Sequence, residues 1–172
     1  MRTVLAVSIV ALAAAAASTA SSQDAPPLDV RHAMQQEVNP AIVRIWDVTN
    51  NALDDNGNLD PAQVGDEGWA QIAAAAGDLA AASDRMASAQ RFIAADPGNW
   101  ATEDYEVPMD VVQASLDAAP DGFRAFAAAF ARTARQLEAA AQARDGATTG
   151  EIVARMDTEC AGCHTAFWYP EN

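Results

Sequence analysis

Alanine makes up a quarter of this chain and β-branched residues are few, so helix is the cheapest local conformation almost everywhere. Four segments carry apolar residues at helical spacing, and each has readable punctuation. The first covers about residues 28 to 53; at about 100° per residue, Val30, Val38, Ala41 and Ile45 fall within about 40° of Met34 and form an apolar stripe. Pro40 interrupts it and predicts a kink or a restart after Asn39. Asp60-Pro61 gives a cap and a first turn for a second helix, running to about Ala95 until Asp96-Pro97-Gly98 stops it. One face carries Ile72, Ala76, Leu79, Ser83, Met86 and Gln90. Residues 96 to 120, with Trp100, Tyr105, Pro108 and Pro120, read as a long connection holding a short helix at 109 to 118. A third helix from about Asp121 spaces Phe123, Phe126, Phe130, Leu137 and Ala141 on one face and ends near Asp145-Gly146. The fourth is expected to start at Thr148, where Thr148 and Glu151 have the spacing of a capping box. No repeat, glycine-rich phosphate loop or strand-like alternation interrupts this pattern. The fold class expected is all-α, a four-helix bundle, with another helical arrangement as the alternative.

Ahead of these segments the chain begins Met1-Arg2, runs through an apolar stretch from Val4 to Ala17 and reaches Ser18-Thr19-Ala20. That pattern predicts a secretory signal peptide over residues 1–20 and a mature domain over 21–172. The apolar run of about 14 residues falls short of the roughly 20 that a membrane span needs, so export without a membrane anchor is expected. The formal charge is −14, and −15 once residues 1–20 are removed, since they hold Arg2 and no acid. Such a surface repels nucleic acid and anionic lipid and steers basic partners towards it.

The two cysteines and one of the two histidines occupy five consecutive positions, Cys160-Ala161-Gly162-Cys163-His164, close to the C-terminus. Cys-x-x-Cys-His is the pattern of covalent c-type haem attachment. Each thiol adds across one vinyl group, two thiols three positions apart on a helix reach both vinyls, and the adjacent histidine supplies the proximal nitrogen. With Cys160 as reference, Cys163, His164, Ile152, Val153, Met156 and Phe167 share one arc of about 120°, so the motif faces the same way as the core residues. Two other readings of the motif stay open. A dithiol redox pair would ordinarily sit at the start of a helix, whereas these thiols lie about three turns in. A zinc site needs four ligands, and only His32 remains to complete one.

With a haem motif at the end of a fourth helix, the chain resembles the class II cytochromes c, of the cytochrome c′ type, from about Leu28 to Tyr169. The resemblance implies an exported four-helix bundle with one haem c covalently bound on the C-terminal helix and His164 as proximal iron ligand. In that family the first helix faces the distal side of the haem, and Val30-Arg31-His32-Ala33-Met34 looks like that segment. Met34, central on the apolar stripe, is then the distal ligand or a packing residue over the iron; His32, at about −200° from it, points to the opposite face. Arg31 resembles the family arginine near the haem propionates. The resemblance also offers a homodimer through the first two helices, with the flank of Ile42 and Trp46 as its surface. Two departures are Phe167-Trp168, where the family commonly has an aromatic and then a basic residue, and the connection around Trp100 to Pro120, which is longer than usual and is expected to form an extra lid over a haem edge.

The function expected is therefore electron transfer in the periplasm between redox partner proteins of basic character, not an enzyme activity. A five-coordinate protein that binds NO or CO is the binding-class alternative, and a thiol oxidoreductase using Cys160 and Cys163 is the enzymatic one. The acidic run Asp54 to Asp60 has a calcium-loop look, but Ala52 and Gln63 would fall where acids are required, so it reads as a turn with a helix cap.

Overall fold

The computed structural model describes residues 25–169; the expected signal peptide lies outside them. A two-residue strand, β1 (Leu28–Asp29), leads into α1 (Val30–Ala33), which Asp29 caps by accepting the His32 amide at 2.8 Å. The chain then continues through a π-helical turn, Met34–Val38, into α2 (Asn39–Asn50). The π turn answers Pro40. Proline has no amide hydrogen for the Gln36 carbonyl and its ring would crowd that oxygen, so the helix widens by one turn, and the Asn39 amide reaches back to the carbonyl of Met34.

The acidic run at 54–60 is a turn, with the Asn56 and Asn58 amides donating to Asp54 Oδ1 at 2.9 and 2.8 Å. Asp60 then caps α3 (Pro61–Ser88) through the Ala62 amide. Within α3, Gly65 takes φ 65° and ψ 174°, a conformation open to glycine, so the first turn is offset from the long remainder. The helix ends at Ser88 rather than near Ala95. Beyond that end the carbonyls are taken by distant partners: Arg124 Nε and Nη2 donate to those of Ala89 and Gln90, both at 2.8 Å, and the Leu28 amide to that of Arg91 at 2.9 Å. The chain then runs extended as β2 (Phe92–Ile93), parallel to β1 with Leu28 opposite Phe92 and Asp29 opposite Ile93. A pairing this short has no alternation for a sequence reading to detect.

A 3-10 turn at Pro97–Asn99, α4 (Met109–Ala118), α5 (Pro120–Gln142) and α6 (Gly146–Phe167) follow. α6 begins earlier than the expected capping box, because Asp145 is the cap. It accepts the Thr148 amide at 3.1 Å and the Thr148 hydroxyl at 2.6 Å, and these bonds hold its carboxyl below the usual carboxylate range. Gly146 is required there, since a Cβ would stand 2.6 Å from Pro61 Cγ.

α3 lies along α5 over most of its length, α2 packs on α3 and α6 packs on α5. One core contains Ile45, Ile72, Ala75, Ala76, Leu79, Ala134, Leu137, Ile152 and Met156. A second, at the other end, gathers Val30, Met86, Phe92, Met109, Val112, Leu116, Phe123 and Phe167. The fold is all-α, and among the described residues no helix is long and apolar enough to cross a membrane.

Leu79 has no exposed surface, so Leu79→Ala is expected to cost about 2–5 kcal/mol in denaturant unfolding. Gly146→Ala forces a methyl against Pro61 and is expected to cost about 1–3 kcal/mol in the same measurement.

Candidate functional site

α6 carries the Cys-x-x-Cys-His motif in its last two turns, beside the second core. Both cysteines are free and half-buried, and Cys163 packs directly against that core. Two clefts meet at the motif. The inner one, of about 250 Å³, is walled by Met34, Val38, Ser83, Met86 and the phenylalanines 123, 126 and 130, together with Glu159, Cys160, Cys163 and His164. The outer one, of about 530 Å³, lies on the side of the first helix and the α4 connection, with Val30, Gln35, Ile42, Trp46, Glu106, Leu116 and Trp168 among its walls. Met34, Val38, Phe123, Cys160, Cys163 and His164 belong to both. A larger groove, of about 910 Å³, runs past Trp46, Gly146 and Asp157 and has neither a thiol nor an imidazole in its wall.

Aromatic packing sets the floor of this region. Phe123 stands edge-on to Phe92 and to Phe167, at 4.8 and 5.3 Å between centroids, and Phe126 stands edge-on to Phe167 at 6.0 Å. Three elements, β2, α5 and α6, are therefore locked together beneath the motif. Arg124 lies over the Phe92 ring at 5.2 Å and adds a cation to the same stack.

The surroundings decide the protonation states. Burial pushes the Cys163 thiol up to about 11, with its neighbour Cys160 adding to the shift. Burial also raises Cys160, helped by the carboxylates of Asp157 and Glu159. Burial lowers the pKa of His164, favouring the neutral imidazole that can donate a lone pair to a metal. Its ring is open to solvent on one side, where Tyr169 stands edge-on at 6.2 Å. Among the described residues, no three His, Cys, Asp or Glu side chains converge as a metal-binding group. Burial thus favours two uncharged thiols and a neutral imidazole. Low-pKa thiolate exchange would need the opposite environment.

Of the residues singled out from the sequence, Cys160, Cys163, His164 and Met34 share the wall of both clefts. His32 is exposed and lines neither. Arg31 is buried, but its guanidinium is taken up by the connection after β2: it donates to the carbonyls of Asn99 and Ala101 and pairs with Glu106. In this structure it therefore faces its own chain instead of standing free for a ligand carboxylate. Ile42, offered as part of a pairing surface, is buried inside the first core, and only Trp46 of that flank retains surface. Met86 and Glu159 were not among the expected site residues. Met86 is visible in the sequence only as one more member of the α3 stripe, and Glu159 has no local signal beyond its place before Cys160.

No family model matches the chain, and neither a curated protein nor a solved structure matches it.

In the chain without any cofactor, both thiols are expected to alkylate slowly at neutral pH. The rate should rise with pH, with the midpoint for Cys163 near 11, in an iodoacetamide pH series read by mass spectrometry. A midpoint at or below the ordinary thiol value would contradict the buried setting.

Proposed function

We propose that this chain is a periplasmic monohaem c-type cytochrome of the class II kind, acting in electron transfer, with α2, α3, α5 and α6 as its four-helix bundle. One observation carries the reading: two free thiols and a neutral imidazole, on one face of one helix, wall the same apolar clefts as a methionine from the first helix. The fit to a porphyrin is chemical as well as spatial. The outer cleft, of about 530 Å³, lies within the range of about 300–1,000 Å³ usual for cofactor and ligand sites, and the inner one is lined by three phenylalanines, two methionines and a valine beside the motif. Cys160 and Cys163 would hold the macrocycle through thioethers, His164 would be the proximal ligand and Met34 the distal one. Haem iron supplies a one-electron couple, and histidine with methionine raises its potential.

The chain's own contributions follow from the site. The aromatic floor gives the inner side an apolar lining, the π turn presents Met34, and Phe123 and Phe167 fix α5 against α6 so that the three motif side chains keep one orientation. The acidic surface favours basic redox partners. A thiol oxidoreductase is a poor match for thiols whose pKa values are raised and which sit in the last turns of a helix, away from the positive end of its dipole. A second reading, an NO- or CO-binding protein with five-coordinate iron, is favoured by one feature: Met34 is only half-buried, and the inner cleft keeps open volume beside it.

A haem stain on a denaturing gel of the exported chain, made with haem-attachment machinery present, tests the cofactor. A stained band at the mass of the mature chain plus one haem is expected, and loss of the stain in Cys160→Ala/Cys163→Ala ties it to the motif. An unstained wild-type band would sink the proposal. Carbon monoxide titration of the ferrous protein then separates the two readings. Methionine ligation predicts weak binding that strengthens by at least about tenfold in Met34→Ala, because the ligand-competent fraction rises towards one. Met86→Ala, truncating the other methionine in the inner cleft, is expected to leave CO affinity within about threefold of the wild type. Tight binding that is indifferent to Met34→Ala would select the five-coordinate alternative.

A further inference from the structure

The connection between β2 and α4 reaches the outer cleft at Glu106, and its one apolar tie is Val107, partly buried against the second core. From 96 to 108 no residue is buried; Trp100 is 39% exposed and Tyr105 is 87% exposed. Hydrophobic burial therefore contributes little to holding 97–106 in one place. Polar contacts remain, and they converge on one side chain. Arg31 Nη1 donates to the carbonyls of Asn99 and Ala101, both at 2.8 Å, and Nη2 meets both carboxylate oxygens of Glu106 at 3.3 Å. Its own amide donates to the Ala94 carbonyl at 2.9 Å. Two lesser ties flank it: Asn99 Nδ2 donates to Gln35 Oε1 at 3.0 Å, and the Asp96 amide to Asp29 Oδ2 at 2.8 Å. Glu106 is held in turn by the Glu103 amide at 2.9 Å.

Arg31 is 8% exposed and precedes Met34 by one helical turn, while Gln35 and Glu106 both stand in the wall of the outer cleft with Met34 and His164. We infer that Arg31 is a positioning residue: its guanidinium clamps residues 97–106, fixes Glu106 in the wall of the outer cleft, and so controls access to the space between Met34 and His164. The clamp joins a sequence-distant connection to the helical turn that presents Met34. A planar fork with several fixed donors suits carbonyls and a carboxylate at once, which a lysine ammonium would not match. The access part of the inference rests on the haem reading; the clamp itself does not.

Hydrogen exchange on the exported full-length chain, read by mass spectrometry, tests the clamp whether or not haem is attached. Arg31→Met and Glu106→Ala are each expected to lower protection across 97–106 by at least about tenfold while α3 and α5 keep theirs. Arg31→Lys should fall between Arg31→Met and the wild type. Unchanged protection at 97–106 in both Arg31→Met and Glu106→Ala would overturn the inference. If Arg31→Met also loosens α3 and α5, Glu106→Ala decides, since its side chain is 37% exposed and lies outside both cores. The second arm is the carbon monoxide association rate of the ferrous haem protein, expected to rise about tenfold in both variants. A loosened connection with an unchanged rate would overturn the access role and leave the clamp standing. A chain that carries no haem would defeat the functional reading without touching the exchange result.

Discussion

The alanine-lined contact between α3 and α5 is what the rest of the molecule is built on. Ala75, Ala76 and Ala80 from one helix and Ala131, Ala134 and Ala141 from the other are all buried, with Leu79 and Leu137 among them. Small side chains let two helices approach closely and fill the space between them with few large groups. Towards the motif end the composition changes. Met86, Phe123, Phe126 and Phe130 replace alanine on the same two helices, and here the clefts open between α3, α5, α6 and the first helix. One helix pair is thus tightly packed along its length and lined with bulky apolar groups beside the motif. The site is a consequence of where the side-chain volume is placed along that pair.

That gradient explains which parts could be read in advance. Helix was legible nearly throughout because alanine and the 3.6-residue stripes agree with each other. Asp60-Pro61 marked the start of α3 correctly, since a cap and a proline act through the nearest backbone groups. The end of α3 was not legible: the carbonyls beyond it are taken by donors distant in sequence, those of Ala89 and Gln90 by Arg124, more than thirty residues away. The cap of α6 was misplaced by three residues for a local reason: Asp145 and Thr148 both carry capping side chains, and the aspartate serves as cap while the threonine hydroxyl donates to it. Cys160, Cys163 and His164 could be set on the apolar arc by counting residues, and that arc does face the second core at Cys163 and Phe167. The company they keep could not be counted. Spacing put Ser83 and Met86 on one face of α3 without showing that they meet the motif, and Glu106 reaches the outer cleft through tertiary packing alone.

Pro40 ties the first helix to this scheme. A regular helix across residues 30–50 would have kept a single phase from Val30 to Ile45. The widened turn at Met34–Val38 adds one residue to a single loop of the helix and so rotates the residues before it relative to those after it. Both sets nevertheless end up inward: Val30 and Ala33 on one side of the turn are buried, and so are Ala41, Ile42 and Ile45 on the other. Met34 and Val38 lie at the two ends of the turn and remain half-buried, at the cleft instead of in either core. The stripe that placed Met34 centrally in the sequence was therefore right about its direction and silent about its depth.

Arg31 carries the remaining argument, because burying an arginine is an expensive way to fix a connection. Desolvating the guanidinium is unfavourable unless its donors are matched, and removing one partner leaves the charge stranded. Leucine or methionine at this position would bury apolar surface without that cost, and residues 96–108 would then have needed apolar groups turned inward to meet it. Val107 alone among them packs against a core, and only partly, while Tyr105 faces solvent. What a fork of directed hydrogen bonds provides, and apolar contact does not, is a defined register: Asn99, Ala101 and Glu106 can satisfy Arg31 together in one arrangement of the connection. A connection held by directed bonds keeps one shape beside a cleft, and it can be released as a unit when a single side chain is changed.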